Sequence, residues 1–544
     1  SMLDATLVRV RHSNLRPCSK ALLFLPVLSF SCLSAPSSAF VTSVPLFAQG
    51  KSVLSARNPG VTRAQTWIPR MNLFKDISGA LRGGASSSTM SAADVELFPS
   101  SFHDAAPSWA TLEEQVKSTP TAKKMLEELA AREKGEGPAH TKNSVRRFGK
   151  SEKDIRIVLY RDAAAWCPYC QKVWLMLEEK QVPYKIERIN MRSYGDKPDW
   201  FMKKVPRGLL PVVEIDGKIV TESVVIMQMI DGLYPEQNPM LPRDKEGLQR
   251  ANRVMQLERD LFGAWCSYTF QPGTSGKRGF EATLHEVDSA LAATDGPWFL
   301  GGAGPSLVDM QYISHVERMV PSVLYWKGLQ MRGTGRWPHV DRWLAAFEER
   351  KNYLATKSDY YTHVMDIPPQ YGPGQSVPDS EPFQKKIDGR EGWTLPLPPL
   401  TEESLEPVLP SWNPGEEAAR HEAALSIVSN RDAVVRFASR AAGDDVGRWQ
   451  REGGFGRSVL ADPYAKPEEA LIPDTDACLR IVTHALMHGT DEAAKVMNKD
   501  GLGHAAAQKT CLQYLQKRVG VPRDMSYPAA RQLRAHLGWL MQQM

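Results

Sequence analysis

The sequence has few cysteines, and only one closely spaced pair among them. Of the seven cysteines, Cys167 and Cys170 form a CxxC motif, and the others form no second pair; these others are Cys18, Cys32, Cys266, Cys478 and Cys511. A structural zinc site takes four ligands, which two such pairs often supply. The single motif therefore argues against zinc, and it predicts redox or thiol-transfer chemistry instead.

Two further absences limit the class of protein. No run of five or more basic residues occurs, and the formal net charge is only +5 over 544 residues, so binding to nucleic acid is not predicted. The apolar run from Ala21 to Leu33 is too short to span a bilayer, and no transmembrane segment is predicted in the mature chain. With 42% hydrophobic and 24% charged residues, the composition is that of a globular protein, and the length predicts two or three domains.

The first hundred residues have the composition of targeting signals. Residues 1–39 combine basic residues, the short apolar run and small residues after it, which predicts a signal peptide. From Phe40 to Lys75 there is no Asp or Glu, so residues 40–100 are predicted to be transit-like and disordered. This order resembles the bipartite plastid-targeting leaders of algae with secondary plastids. The resemblance implies a plastid location, and the alternative is a protein of the secretory pathway.

The CxxC motif lies where a predicted strand passes into a predicted helix. A buried apolar run ends shortly before it, and a helical pattern follows it. A thiol at a helix start meets the positive end of the helix dipole and free backbone N–H groups, which favour the thiolate. Cys167 is therefore predicted to be the nucleophile, and Pro168 suits the first helical turn.

The segments around the motif follow the thioredoxin order, β-α-β and then β-β-α, over residues 151–234. Asp216-Gly217 marks the hairpin between the last two strands. The preceding residues 101–150 are predicted to be an N-terminal extension that packs on this domain. The predicted elements are strand 155–160, helix 171–180, strand 184–189, strand 212–215, strand 219–221 and helix 223–233.

Helical patterns dominate the rest of the chain. Residues 245–366 lack strand alternation and predict an all-α domain, in which Ser306 and Asp309 form a capping box. Eight prolines predict that residues 367–403 are a linker or wrapping arm without regular structure. Residues 404–544 predict a further helical extension.

Three histidines lie in the predicted extension. A metal site is conceivable because two of them share a helix face, but no further ligand stands at a recognised spacing. Solvated or core histidines are the favoured interpretation. The three are His484, His488 and His504.

Four motifs resemble those of the glutathione S-transferase superfamily, in the cysteine-dependent branch that contains omega-class transferases, dehydroascorbate reductases and glutaredoxin-like members. The resemblance covers about residues 155–350 and implies an α/β thioredoxin-like domain followed by an all-α transferase domain. The helical tail is similar to that of long plastid forms. In chain order the motifs are Cys167-Pro168-Tyr169-Cys170; Lys197-Pro198-Asp199-Trp200-Phe201 with Gly208-Leu209-Leu210-Pro211-Val212; Thr221-Glu222-Ser223; and Ser306-Leu307-Val308-Asp309.

The resemblance implies that five residues bind glutathione. Pro211 would be a cis-proline that exposes the backbone of Leu210 to the cysteinyl peptide group. Glu222 would accept the γ-glutamyl ammonium, and Ser223, as the N-cap of the next helix, would bind the γ-glutamyl carboxylate. Lys197 would pair with the glycyl carboxylate. Taken alone, Glu222 and Ser223 are also an ordinary helix cap, and Lys197 an ordinary solvated side chain.

The function that the resemblance implies is glutathione-dependent thiol transfer or reduction, with glutathione as co-substrate, no metal, and a possible homodimer. Cys167 would attack a glutathionylated protein, a small disulfide or dehydroascorbate. Cys170 stands where many omega-class members have alanine, and it permits a dithiol route. The alternatives are a non-catalytic scaffold or partner-binding subunit, glutathione conjugation to electrophiles, and an iron–sulfur cluster held between two subunits.

Four aromatic residues stand where the resemblance places a second-substrate pocket, between the CxxC and the first helices of the α domain. Core packing is the favoured interpretation of each, since large aromatic side chains dominate protein cores. The four are Trp265, Tyr268, Phe270 and Tyr312.

Overall fold

The computed structural model describes residues 96–453, 458–497 and 502–544. The predicted signal peptide and all but the last five residues of the predicted transit segment lie outside these ranges, so both remain predictions. Within the described residues, no helix is both long and apolar enough to cross a membrane.

The N-terminal extension contains three helices: α1 (Ser100–Ala105), α2 (Trp109–Ser118) and α3 (Pro120–Glu133). Ser108 and Thr119 cap α2 and α3, since each hydroxyl accepts a backbone N–H from the first turn. The prediction that the whole extension packs on the thioredoxin-like domain is wrong. Phe102 and Val116 are fully buried in an apolar core that they share with residues of the C-terminal extension.

The thioredoxin-like domain has a five-stranded sheet in the order β1-β3-β2-β4-β5. Strands β2 and β3 are parallel, while β1, β4 and β5 pair antiparallel with their neighbours. The six predicted elements are confirmed in their order, and two elements are additions: β1 at the edge, from the N-terminal extension, and the short helix α5 between β3 and β4. The elements are β1 (Val145–Arg146), β2 (Ile157–Asp162), α4 (Pro168–Lys180), β3 (Tyr184–Ile189), α5 (Asp199–Lys204), β4 (Val212–Ile215), β5 (Lys218–Val220) and α6 (Ser223–Leu233).

An all-α domain follows the sheet, as predicted. Its central helix is buried almost from end to end and packs against α4. The capping box is confirmed, because the Ser306 hydroxyl and the Asp309 carboxylate each accept the other's backbone N–H. The helices are α7 (Lys245–Thr269), α8 (Lys277–Ala292), α9 (Leu307–Lys327, the central helix), α10 (Pro338–Glu348), α11 (Lys351–Leu354) and α12 (Tyr360–Tyr371).

The proline-rich range 367–403 is more regular than predicted. Helix α12 continues through Pro368 and Pro369 to Tyr371, and α13 (Glu381–Ile387) forms within the range. In α13 the proline lies in the first turn, where its missing N–H has no helical partner to lose. The prediction of no regular structure is therefore wrong for these residues.

The C-terminal extension is helical, as predicted, and builds its own apolar core with α1 to α3. In the described ranges its histidines belong to no group of three or more potential metal ligands. His488 contacts Gln115 at 3.0 Å and His504 contacts Glu96 at 3.2 Å. Its helices are α14 (Glu416–Val428), α15 (Arg431–Ser439), α16 (Arg448–Arg451), α17 (Ile472–His488), α18 (Thr490–Val496), α19 (Ala506–Gln516) and α20 (Tyr527–Gln543).

Candidate active site

The CxxC motif lies at the start of α4, as predicted. Cys167 is the N-cap residue and Cys170 lies in the first turn of the helix. Neither cysteine is in a disulfide. Both are largely buried, with 7% of Cys167 and 1% of Cys170 exposed, so Cys167 is the sulfur with more access to a substrate.

The two thiols of the motif interact directly. Burial, and then a hydrogen bond from its S–H to Cys167, raise the pKa of Cys170 well above its usual range. Cys170 is thus held as a thiol that donates to its neighbour. Cys170 therefore stays protonated at neutral pH.

A buried carboxylate that the sequence analysis missed lies beside the motif. Asp162 is the last residue of β2 and is 1% exposed. Its Oδ2 accepts the backbone N–H groups of Trp166, at 2.6 Å, and Cys167, at 3.2 Å. These bonds fix the turn from β2 into α4. The sequence shows an acidic residue five positions before the motif, but nothing in the sequence indicates these contacts.

A buried arginine of the all-α domain holds the other side of this turn. The Arg318 guanidinium donates to the carbonyl oxygen of Trp166 at 2.6 Å and to the amide oxygen of Gln171 at 2.8 Å. Arg318 is 1% exposed, so these contacts replace its hydration. The all-α domain therefore positions the residue immediately before Cys167.

The C-terminal extension also contacts this turn. The Trp166 indole N–H donates to the carbonyl oxygen of Val521 at 3.0 Å, and the Arg523 guanidinium lies 4.8 Å from the indole centroid. Gly520 passes so close that a Cβ atom there would lie 2.3 Å from Cζ2 of Trp166. The extension is thus packed against the residue that precedes Cys167, which no pattern in the sequence indicated.

A second cation lies buried on α4. The Lys172 ammonium donates to Gln311 Oε1 at 2.8 Å, and Gln311 in turn donates to Glu258 at 2.9 Å. Burial lowers the pKa of Lys172 to about 8, while the charges of Glu258 and Cys167 act in the opposite direction. Lys172 thus interacts electrostatically with the candidate nucleophile from within the domain interface.

Two of the predicted glutathione-binding features lie near the motif. The Leu210–Pro211 peptide bond is cis, as the resemblance implied, and it immediately precedes β4. Lys197 is half-buried and donates to the carbonyl oxygen of Asn190 at 2.8 Å. Burial lowers the pKa of Lys197, whereas Cys170 and Cys167 act to raise it, so its charge interacts with both thiols.

The acidic residue and serine at the start of α6 differ slightly from the prediction. Glu222, not Ser223, is the N-cap residue, and Ser223 is the first helical residue. Glu222 has a φ of 68° and an exposed side chain, which lies 3.8 Å from the Arg207 guanidinium. Both residues still present polar groups at a helix N-terminus, where N–H groups are available to a carboxylate.

The four aromatic residues considered for a second-substrate pocket are mostly core residues. Trp265, Tyr268 and Tyr312 are at most 1% exposed. The Tyr312 hydroxyl donates to Val254 O at 2.8 Å and the Trp265 indole donates to Ser322 Oγ at 2.9 Å. Core packing is thus confirmed for these three, and Phe270 is partly buried against the same core.

The motif also offers the one group of potential metal-ligand side chains in the described ranges. The sulfurs of Cys167 and Cys170 and a carboxylate oxygen of Asp162 lie within 4.8 Å of one another. Three groups fall one short of the four ligands of a structural zinc site. The expectation of no metal stays a prediction.

Comparisons with known proteins match the same part of the chain. Residues 166–233 match the family model of the glutathione S-transferase N-terminal domain. Probable glutathione S-transferase DHAR2, chloroplastic, of Oryza sativa subsp. japonica is 40% identical over 192 residues, 35% of this chain and 65% of that protein. Glutathione S-transferase omega-1 of Mus musculus is 28% identical over 220 residues, 39% of this chain and 84% of that protein.

A solved structure is also similar in part. The crystal structure of glutathione transferase Omega 3C from Trametes versicolor is 25% identical, with a TM-score of 0.34, and the match covers 38% of this chain and 87% of that one. The family match includes the CxxC, the cis-proline and the start of α6. This match and these relatives support a similarity to the cysteine-type glutathione S-transferases over this part of the chain.

Proposed function

We propose that the protein is a glutathione-dependent thiol transferase or reductase that uses Cys167 as its nucleophile. The observation that carries this proposal is a free cysteine at the N-cap of α4, with the sulfur of a second free cysteine within 4.8 Å of its own. Relatives among the glutathione S-transferases support a glutathione-dependent enzyme. A hydroxyl nucleophile at this position would instead have favoured glutathione conjugation.

We propose that glutathione binds along the segment that runs from the cis-proline before β4 to the start of α6. The backbone of Leu210, before the cis peptide bond, would pair with the cysteinyl peptide group. Glu222 and Ser223 at the start of α6 would bind the γ-glutamyl end. Lys197 would pair with the glycyl carboxylate. This arrangement would bring the glutathione sulfur to Cys167.

The proposed reaction is a pair of thiol–disulfide exchanges. The Cys167 thiolate attacks the sulfur of a glutathionylated substrate, the substrate thiolate leaves, and a Cys167–glutathione disulfide forms. A second glutathione thiolate then attacks that disulfide and releases oxidised glutathione and the Cys167 thiolate. Each exchange breaks one S–S bond and forms one S–S bond, so the electrons balance.

The test is a comparison of reductase activities in two serine variants. We expect Cys167→Ser to lose at least about a hundredfold in turnover of hydroxyethyl disulfide and of dehydroascorbate, because the attacking sulfur is gone. Cys170→Ser separates a monothiol route, which survives this change, from a dithiol route, which does not. Full reductase activity in Cys167→Ser would contradict the proposal.

We also propose that the mature chain acts in a plastid, and that it forms a homodimer. The order of signal-like and transit-like segments supports the first proposal, and a relative is named chloroplastic. N-terminal sequencing of the protein from its source cells tests it. A mature terminus close to residue 22 would favour the secretory pathway instead. Analytical ultracentrifugation of the mature chain tests the homodimer.

A further inference from the structure

One carboxylate oxygen beside the CxxC has no hydrogen-bond partner in the described part of the chain. Asp162 is 1% exposed, and while Oδ2 accepts two backbone N–H groups, Oδ1 accepts none. A buried polar atom without a partner costs free energy of about 1–3 kcal/mol. Such an atom beside a reactive group calls for a functional explanation.

The Asp162 carboxylate lies where Cys170 requires a proton acceptor. An oxygen of Asp162 and both sulfurs of the motif lie within 4.8 Å of one another. Cys170 is buried, and burial together with the neighbouring Cys167 holds its pKa well above the usual range of a thiol. When Cys167 is in a mixed disulfide, Cys170 must give its proton to an acceptor before its sulfur can attack.

We propose that Asp162 is the proton acceptor for Cys170 when Cys170 resolves a mixed disulfide on Cys167. The proposal rests on the function proposed above and adds a dithiol route to it. Oδ2 keeps its two backbone N–H bonds during the step, so the turn into α4 does not have to move. Oδ1 is the oxygen that takes the proton.

The step balances in atoms and electrons. Cys170 gives its proton to Oδ1 of Asp162, its sulfur attacks the sulfur of Cys167, and the substrate or glutathione thiolate leaves. A Cys167–Cys170 disulfide forms as the mixed disulfide breaks. Two glutathione molecules later reduce this disulfide: the first attacks the more accessible Cys167, and Cys170 takes its proton back from Asp162.

The charges around Asp162 come from several elements. The preceding Arg161 is buried and donates to the backbone oxygen of Asp162 at 2.8 Å. Lys197, in the loop before α5, interacts with the thiols. Asp366 on α12 and Tyr194, hydrogen-bonded to each other at 2.5 Å, interact with Asp162 electrostatically.

The experiment follows the two thiol exchanges separately, with the aromatic disulfide dithiobis(nitrobenzoate) as the probe. Attack by Cys167 releases one coloured nitrothiobenzoate, and resolution by Cys170 releases the second. Stopped-flow absorbance on the reduced full chain gives both rates, after subtraction of the release from a Cys167→Ser/Cys170→Ser variant. We expect Asp162→Asn to slow the second phase about a hundredfold, a typical loss for a general base.

Asp162→Asn keeps an oxygen that accepts the N–H groups of Trp166 and Cys167, so we expect the first phase to change less than about threefold. In a Cys170→Ser background the substitution should then have no further effect. Equal slowing of both phases would assign Asp162 a purely structural role and overturn the proposal. Asp154→Asn, an exposed substitution before β2, is the control and should leave both phases unchanged.

A second measurement needs no variant. If Cys170 reacted unaided, its second-phase rate would rise about tenfold per pH unit from neutral to mildly alkaline pH, because its thiolate fraction rises in that way. We expect a much shallower rise, since Asp162 accepts the proton within the site. A tenfold rise per pH unit would overturn the proposal. Loss of the first phase would instead contradict the assignment of Cys167 as nucleophile.

Discussion

In the described part of the chain, two pairs of cysteines lie in very different settings. Cys167 and Cys170 lie at the first turn of α4, whereas Cys478 and Cys511 lie within α17 and α19 of the C-terminal extension. All four are free and buried. Burial raises the pKa of Cys511 to about 12 and that of Cys478 well above its usual range.

Helix position is the main difference between the pairs. Inside α17 and α19, the backbone N–H groups around each thiol are already bonded to carbonyl oxygens one turn earlier, so none is left to stabilise a thiolate. At the start of α4, the first-turn N–H groups have no such partners. We therefore expect the thiols of the extension to be inert and Cys167 to be the reactive cysteine.

The C-terminal extension nevertheless contacts the thioredoxin-like domain at Trp166. Trp166 precedes the nucleophile and is held by Val521 of the C-terminal extension and by Arg318 of the all-α domain. The extension thus contacts the residue that precedes the candidate nucleophile. We expect substitutions at this contact to affect turnover as well as stability.

The largest contrast between the pairs should appear in chemical labelling. At neutral pH we expect iodoacetamide to modify Cys511 at least about a thousandfold more slowly than free cysteine, because a pKa near 12 leaves almost no thiolate. Cys167 should react readily. Peptide mass spectrometry of the native protein measures the labelling rate at both sites. Rapid labelling of Cys478 or Cys511 in the native protein would contradict the expected difference between the pairs.

Substituting one cysteine of each pair tests the same difference through enzyme activity. Cys167→Ser should reduce disulfide reductase activity by at least about a hundredfold, because no other thiol can replace it. Cys478→Ala should leave turnover within about twofold of wild type and should lower only the melting temperature. Equal losses of activity in the two variants would show that the pairs do not differ in function.

The contact between the regions can be tested at Gly520. In Gly520→Ala the new methyl group would lie 2.3 Å from the Trp166 ring, so the ring or the tail has to move. We expect about tenfold slower turnover, a shift in tryptophan fluorescence, and a loss of about 1–3 kcal/mol of stability. Gly279→Ala, whose Cβ meets nothing within 4 Å, is the matched control. Unchanged activity in Gly520→Ala would separate the extension from catalysis.

The smallest expected effect concerns Asp366 and the way in which the melting temperature depends on pH. Burial raises the pKa of Asp366 to about 7, well above its unfolded value, so the folded state retains a proton that the unfolded state releases. The stabilisation is present at low pH and is lost as pH rises toward 7. From about pH 5 to about pH 8, we expect the melting temperature of Asp366→Asn to gain a few degrees relative to wild type. A constant difference in calorimetry would contradict this assignment.

Short-range patterns predicted much of the fold. Strands β3 and β4 and helix α6 have the predicted bounds, because alternation, hairpin signals and helix periodicity act within a few residues. The capping box at Ser306 is equally local. By contrast, β1 is only two residues long and is defined by its pairing with β3, so no pattern of its own could mark it.

Sequence patterns likewise predicted some features of the candidate site and not others. The thiols at a helix start and the cis-proline followed from motifs in the sequence. Asp162 and Arg318 did not, since isolated acidic and basic residues carry no sign of what they will contact. The N-terminal helices were assigned to the wrong partner for the same reason, because an amphipathic helix reveals its apolar face but not the surface that covers it.

By itself, the sequence determined that a cysteine would begin a helix after a strand, because helix starts and turns depend on neighbouring residues. Tertiary structure alone decided what surrounds that cysteine. The indole of Trp166 meets Val521 across a separation of 355 residues, and Arg318 reaches the carbonyl oxygen of Trp166 across 152. Contacts of this range depend on how whole domains pack, and local patterns carry no record of that packing.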